Sequence, residues 1–385
     1  METVGIICEY NPLHLGHKKQ IDEIRRICGE DTAVVCLMSG NFVQRGAPAI
    51  VDKSIRSRMA VACGADLVLE LPTEYALSSA EGFAAGGVRI LKSFCDRLCF
   101  GAETRDSEAL LHTASALLSP AFPALLKAEL ETGKSFPAAR QSALEKIGLN
   151  GHILEKPNNI LAVEYCKAIL SQNSTMKPLP IHREGNYHDQ FPDPENPSAT
   201  ALRQLLLTGN GWQPFVPAEA QAFLADAPLH TLEAGERAIL GKLRTMTDAD
   251  FEALPYGSEG LWRKFMHASR EEATLEDIIA ATKSKRYTRT RIDRMVMCAF
   301  LGLSLQDLLS PVPYVRVLAF TGRGRSVLKE ARKTGTFLNA GEISLTPYGQ
   351  KERIIGDLYG LFCTEGPEAP GGENRRRIYY EPNSK

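Results

Sequence analysis

The chain has almost no imbalance of charge: its 385 residues carry 45 Lys and Arg against 46 Asp and Glu, a net charge of -1. That excludes holding a polyanion through overall basicity, so any nucleic-acid surface must come from local clustering. Long apolar runs are missing too. No hydrophobic stretch reaches the ~18 residues a membrane span needs. The N-terminus carries neither a basic segment nor a small-residue cleavage site, and Val4–Cys8 reads at once as a strand. Paired cysteines are absent: the nine are odd in number, form no CxxC, and mostly lie within apolar runs such as Val34-Val35-Cys36-Leu37. Cys95 and Cys99 stand four apart, with no histidine cluster at zinc-ligand spacing, so no metal-ligand set is expected. Reduced buried thiols in a soluble, cytoplasmic protein without a membrane partner are the expectation. The length suits two domains, or one large domain with an appendage.

Short apolar runs alternate with amphipathic stretches up to about Arg203. Val4–Cys8, Ala33–Met38, Asp66–Leu71 and Arg97–Phe100 read as strands, continuously hydrophobic as parallel strands covered on both faces are. Helical patterns at about 18–28, 52–63 and 79–93 are long enough to cross over between them. The expected fold is an α/β doubly wound parallel sheet, Rossmann-like, whose ligands bind beyond the carboxyl ends of the strands. A helical insertion covers roughly 106–150. Lys177–His182 reads as a strand that its two prolines confine to an edge, and Phe191–Pro197 as a loop. A first domain over 1–210 is therefore expected. The second, 211–385, reads as mostly helical over 214–308, returns to a strand-like run at Pro313–Phe320, and ends in a weakly docked tail from Thr364 that contains Arg375–Arg377.

Directly after the first strand comes Glu9-Tyr10-Asn11-Pro12-Leu13-His14-Leu15-Gly16-His17, opening a helix. A helix N-terminus presents unpaired N–H groups and the positive end of the macrodipole, which suits phosphate. Gly16 permits close approach, and His14 and His17 can donate to phosphate oxygens as charge builds. The alternative reading makes the same histidines helix caps or metal ligands, though the full NPxHxGH string after a buried strand favours phosphate. Pro197-Ser198-Ala199-Thr200-Ala201-Leu202-Arg203 opens another helix, where Ser198 and Thr200 can cap or contact phosphate and Arg203 offers a cationic fork. Ser39–Gly46 follows the second strand. Its Gln44 and Arg45 are candidates for a carboxylate or a leaving pyrophosphate, with a solvated surface loop as the alternative. Asp52 and Lys53 head the next helix, where capping is as good a reading as function. Lys283, Lys285, Arg286, Arg289, Arg291 and Arg294, with Tyr287 between them, read as either an RNA surface or a solvated helix face. Arg323 and Arg325 read as a basic turn.

NPxHxGH with SxTxxR resembles the HxGH nucleotidyltransferase superfamily. A narrower resemblance extends over nearly the whole chain. Met38-Ser39-Gly40-Asn41-Phe42-Val43-Gln44-Arg45-Gly46-Ala47-Pro48-Ala49, Asp66–Pro72, Phe100–Glu103, Pro157-Asn158-Asn159-Ile160-Leu161 and Lys285–Arg291 are similar to the bacterial tRNA(Met) cytidine acetate ligase family. Leu13 departs from that family's pattern, where an aromatic is usual. The resemblance implies activation of acetate by ATP to acetyl-adenylate, then transfer to N4 of the wobble cytidine of elongator tRNA(Met). It also implies ATP contacts from Ile7, Cys8, Glu9, Tyr10, Asn11, Pro12, Leu13, His14, Leu15, Gly16, His17, Lys18, Lys19 and Gln20, and from Gly101, Asn158 or Asn159, and Arg183. Mg²⁺ is expected to be held mainly by nucleotide and water. Each asparagine reads equally as an N-cap, and Arg183 equally as an ion-pair residue. Two other functions remain open on the residues alone: a small-molecule adenylyltransferase and a non-catalytic RNA-binding protein.

Overall fold

The computed structural model describes residues 1–183, 198–284, 286–312, 314–334 and 346–382. The loop expected at Phe191–Pro197 lies outside them, as do Lys285 and Pro313. Strands β1 (Thr3–Cys8), β2 (Ala33–Ser39), β5 (Leu67–Leu71) and β6 (Arg97–Ala102) occupy the four apolar runs, and β3 (Phe42–Val43) and β4 (Ala47–Pro48) form a small hairpin in the loop after β2. With β7 (Lys177–His182), β8 (Val317–Thr321) and β9 (Tyr379–Glu381), the main sheet runs β7-β6-β1-β2-β5-β8-β9. The five strands from β7 to β5 are parallel; β8 is antiparallel to β5, and β9 parallel to β8. The proline-bearing β7 is an edge strand, where missing N–H donors leave no gap in a ladder.

β2 is buried along its whole length and alternates between two cores. Val35 and Leu37 pack on one face with Leu91 and Val163, while Cys36 and Met38 pack on the other with Ile21 and Met59. This two-sided burial is why the run is continuously apolar. The helices Leu15–Cys28, Lys53–Ala62 and Ala80–Leu91 begin on His14, Asp52 and Ser79, whose side chains accept from first-turn amides. Three helices, Ser107–Leu118, Phe122–Glu131 and Phe136–Lys146, make up the insertion. A third core holds the helical half together and reaches the β2 loop through Phe42, which meets Tyr359 and Phe362 edge-on. Among the described residues, no single helix is long and apolar enough to cross a membrane.

Three expectations for the C-terminal half need correction. β8 and β9 come from beyond residue 211 yet complete the first domain's sheet, so the proposed boundary does not separate sheet from helices. Thr321–Arg325 is the capped start of the helix Gly322–Ala331, not a turn. The tail is docked, because it supplies Glu373 and Arg376 to a buried ionic cluster. Lys53 Nζ lies 2.5 Å from Glu70 Oε1 and 2.8 Å from Glu373 Oε1. Arg376 reaches both oxygens of Asp52, at 2.6 and 2.8 Å, and Arg316 joins Glu70 and Glu373. Three cations thus face three carboxylates. Burial alone would raise the Glu373 carboxyl, but Lys53, Arg376 and Arg316 outweigh it and hold it down to about 2. Composition marked the tail as polar; Glu373 and Arg376 are nonetheless buried because their ionic partners are. Glu373→Ala should cost about 3–5 kcal/mol in urea unfolding, the range for stranding buried charges; a loss under about 1 kcal/mol would mean the cluster is solvent-relaxed.

Candidate active site

The segments after β1 and β2 leave the carboxyl edge of the sheet side by side, and a fully buried arginine ties them together. Arg56 Nη1 donates to the carbonyls of Glu9 (2.7 Å) and Ser39 (3.0 Å), Nε to that of Val51 (2.9 Å), and Nη2 to that of Gly40. Asn11 Oδ1 accepts the Ile50 amide at 2.7 Å, and Glu9 Oε1 accepts that of Gln44 at 2.9 Å. Sequence reasoning missed Arg56. No local signal marks it, since its acceptors are backbone carbonyls from separate segments.

His14 is the N-cap of the first helix. Its Nδ1 accepts the Gly16 amide at 3.1 Å, and His17 Nδ1 accepts the His14 amide at 3.2 Å. The rings stack with centroids 3.7 Å apart, and Tyr10 meets His17 edge-on at 4.9 Å. A Cβ on Gly16 would lie 3.0 Å from His14 Cε1, so a side chain there would crowd the ring as it folds onto the helix start. With both Nδ1 atoms accepting, each neutral ring carries its proton on Nε2. Burial, then Arg183, lowers the His14 pKa to about 3, and burial, then His14 and Arg183, depresses His17 well below its usual value. The capping reading and the phosphate-donor reading are therefore compatible: one nitrogen caps and the other stays a donor.

Arg203 brings the second motif to the first. Its Nη1 donates to the Asn11 carbonyl at 2.8 Å and its Nη2 to Thr200 Oγ1 at 3.0 Å. Ser198 Oγ caps the helix Ala199–Thr208 through the Ala201 amide. Burial lowers the Arg203 pKa, with Glu9 opposing and Arg45 adding, which places both near its guanidinium. Gln44 is half-buried and Arg45 exposed. Gly46, at φ 76°, packs against the backbone of Asp293 and Arg294, where a Cβ would come within 2.4 Å.

Other expected residues sit differently. Tyr10 and Leu13 are buried and offer only backbone to a ligand; Lys18 pairs with Asp22, and Gln20 with Cys99 Sγ. Lys19 is exposed, Cys8 and Pro12 are buried, and Ile7 and Leu15 are half-buried. Gly101, next to last in β6, lies beside Arg183, 3.3 Å from its Cδ to a would-be Cβ. Both asparagines are bound to Glu103. Asn158 Nδ2 donates to its carboxylate at 2.8 Å, while Asn159 Oδ1 accepts the amides of Glu103 and Thr104. In the basic run, Lys283 and Arg286 are exposed. Tyr287 is 8% exposed, its hydroxyl donating to the Glu259 carbonyl. Arg289 pairs with Glu276 and Asp293, Arg291 donates to the Tyr256 carbonyl, and Arg294 lies over the Tyr256 ring. Buried among these groups, Tyr287 is not presented for stacking on a base.

A histidine pair capping the first helix of a parallel sheet, with a Ser/Thr/Arg helix start beside it, defines a nucleotidyltransferase-class centre. The HIGH Nucleotidyl Transferase family model matches residues 1–345. The chain is 36% identical to the tRNA(Met) cytidine acetate ligase of Acetivibrio thermocellus, over 95% of this chain and 96% of that protein. It is 38% identical to that of Clostridium perfringens, over 86% and 88%. Crystal structures of Thermotoga maritima TmcAL superpose over both full chains: the apo form with TM-score 0.91 at 28% identity, and the form bound with alpha-thio ATP with TM-score 0.88 at 27%. The chain belongs to the tRNA(Met) cytidine acetate ligase family, within the HIGH nucleotidyl transferases.

The histidine pair predicts a pH dependence. The folded pKa of His14 lies below the unfolded value, so its contribution is present above pH 6.5 and lost as pH falls towards about 3. Unfolding free energy should therefore drop by about 2 kcal/mol through His14 alone between neutrality and about pH 5. His14→Gln should flatten that slope in urea titrations; an unchanged slope would mean the ring is solvated.

Proposed function

We propose that this protein joins ATP and acetate to form acetyl-adenylate and passes the acetyl group to N4 of the wobble cytidine of elongator tRNA(Met). The observation that carries the reading is the Arg203 guanidinium, which donates to both the Asn11 carbonyl and Thr200 and so makes one site of the two motifs. The triphosphate lies across the start of the first helix, receiving Nε2–H bonds from His14 and His17 and backbone N–H groups of the turn. Because both imidazoles are neutral and fixed by their caps, they stabilise developing charge without reorganising. Arg203 adds the permanent positive charge. The nucleoside extends past Gly101 towards Arg183. Asn158 or Asn159 supplies a further contact; both are already held by Glu103.

Acetate, with a carboxyl pKa near ~4, is ionised at neutral pH and needs no base. Gln44 and Arg45 hold it in line with the α-phosphorus, the distance constraint doing most of the catalysis. The P–O bond to pyrophosphate breaks as the carboxylate oxygen bonds to phosphorus. N4 then attacks the acetyl carbon, AMP leaves, and the N4 proton passes to solvent. Mg²⁺ neutralises phosphate charge when bound. Glu9 is the only carboxylate in the turn between Ile7 and Gln20, which suits an ion carried by nucleotide and water rather than caged by protein. The tRNA is held by the exposed Lys283 and Arg286, with Lys285 adjacent in sequence; Arg289, Arg291 and Arg294 shape that surface through their ion pairs and carbonyl contacts.

His14→Ala should reduce acetate-dependent ATP–pyrophosphate exchange by about 10²-fold or more, the scale for losing a preorganised donor. An unaltered exchange rate would remove His14 from the chemistry, and exchange only with a phosphorylated metabolite would indicate a small-molecule adenylyltransferase. Lys283→Glu with Arg286→Glu should keep exchange within about twofold while abolishing N4-acetylcytidine in nucleoside mass analysis of tRNA, because phosphate contacts supply affinity and not adenylation. Equal loss of both half-reactions would assign these residues to the adenylation site.

A further inference from the structure

Three donors of metal-ligand type converge where the tail crosses the helical half. His230 precedes the helix Leu232–Thr245; Cys363 and Glu368 follow the helix Pro347–Tyr359. His230 and Cys363 form an isolated antiparallel bridge, flanked by Thr231 N–H to Phe362 O at 2.9 Å and Thr364 N–H to Leu229 O at 2.8 Å. One ligand atom from each of His230, Cys363 and Glu368 lies within 4.8 Å of the other two, and His230 Nε2 is 3.5 Å from Glu368 Oε1.

His230 is 2% exposed, and neither ring nitrogen is in a hydrogen bond. Buried imidazoles are ordinarily partnered, yet among the described residues the nearest partner of this ring is the Glu368 carboxylate, 3.5 Å from Nε2. The ring plane is fixed by stacking on Tyr359 at 4.0 Å and 15°. Cys363 is buried, whereas the Glu368 side chain is 42% exposed and opens a path from solvent.

We propose that His230, Cys363 and Glu368 form a site for a zinc-type divalent cation, with water as the fourth ligand. Imidazole, thiolate and carboxylate together select a borderline-soft tetrahedral ion, whereas Mg²⁺ and Ca²⁺ take oxygens. A tetrahedral zinc spaces its ligand atoms by about 3.3–3.7 Å, a spacing the His230–Glu368 pair already has at 3.5 Å, with Cys363 within 4.8 Å of both. Binding converts the Cys363 thiol to thiolate and releases its proton to solvent. The ion would clamp the tail to the catalytic loop, because His230 N–H bonds the Ile50 carbonyl at 2.9 Å and Tyr359 Oη the Ala49 carbonyl at 2.8 Å. This site is distinct from the nucleotide's Mg²⁺ in place and in chemistry.

The test titrates the full chain, stripped by chelator, with Co²⁺ and then Zn²⁺. One Co²⁺ per chain is expected, giving a thiolate-to-cobalt charge-transfer band and intense tetrahedral d–d bands, both abolished by Zn²⁺. Cys363→Ser should remove the charge-transfer band. Glu368→Gln, at an exposed position, should weaken Zn²⁺ at least about tenfold while leaving the melting temperature in chelator unchanged. A charge-transfer band that survives Cys363→Ser, Zn²⁺ affinity unchanged in Glu368→Gln, or no tetrahedral spectrum at saturating Co²⁺ would each overturn the assignment.

Discussion

The site depends on how two imidazoles divide their nitrogens. His14 and His17 each commit Nδ1 to a backbone amide at the helix start, and that fixes where the remaining N–H stands. Had either ring capped through Nε2, or carried a charge, the donor would not be set in advance. Stacking, the Tyr10 edge and Arg183 all act on this same pair. The cap is thus part of the chemistry: the groups that finish the helix also aim the donors.

Around that pair, the backbone is held by cations bonded to carbonyl oxygens. Arg56 collects four carbonyls from the β1 and β2 loops, and Arg203 takes that of Asn11. A guanidinium has five N–H donors in a rigid fork, so one side chain can fix several loop segments that have no regular ladder of their own. The same economy operates at the tail, where Lys53, Arg316 and Arg376 bind acidic groups from segments remote in sequence. Both devices secure loops that must stay irregular to leave room for a ligand.

The helical half is coupled to this edge at several points. Gly46 lies against the Asp293–Arg294 backbone, and Phe42 enters the third core beside Tyr359 and Phe362. The Ala49–Ile50 segment is held by Tyr359 and His230. Residues that read as a basic RNA-facing run therefore also brace the loop carrying Gln44 and Arg45. Position in sequence could not separate these roles, because ion pairing with Glu259 and Glu276 and burial of Tyr287 are settled by segments outside the run.

The sequence by itself determined the parallel core strands, the edge position of β7, the capped first helix and the two motifs, because each rests on local periodicity, proline chemistry or a contiguous string. Family membership was legible for the same reason. Tertiary structure alone decided that β8 and β9 extend the sheet, that Glu373 and Arg376 dock the polar tail, and that Arg56 anchors the loops. It alone also brought His230, Cys363 and Glu368 together. Each of these is a pairing between distant segments, and a residue's own neighbours along the chain carry no record of the partner that will neutralise, accept from or ligate it.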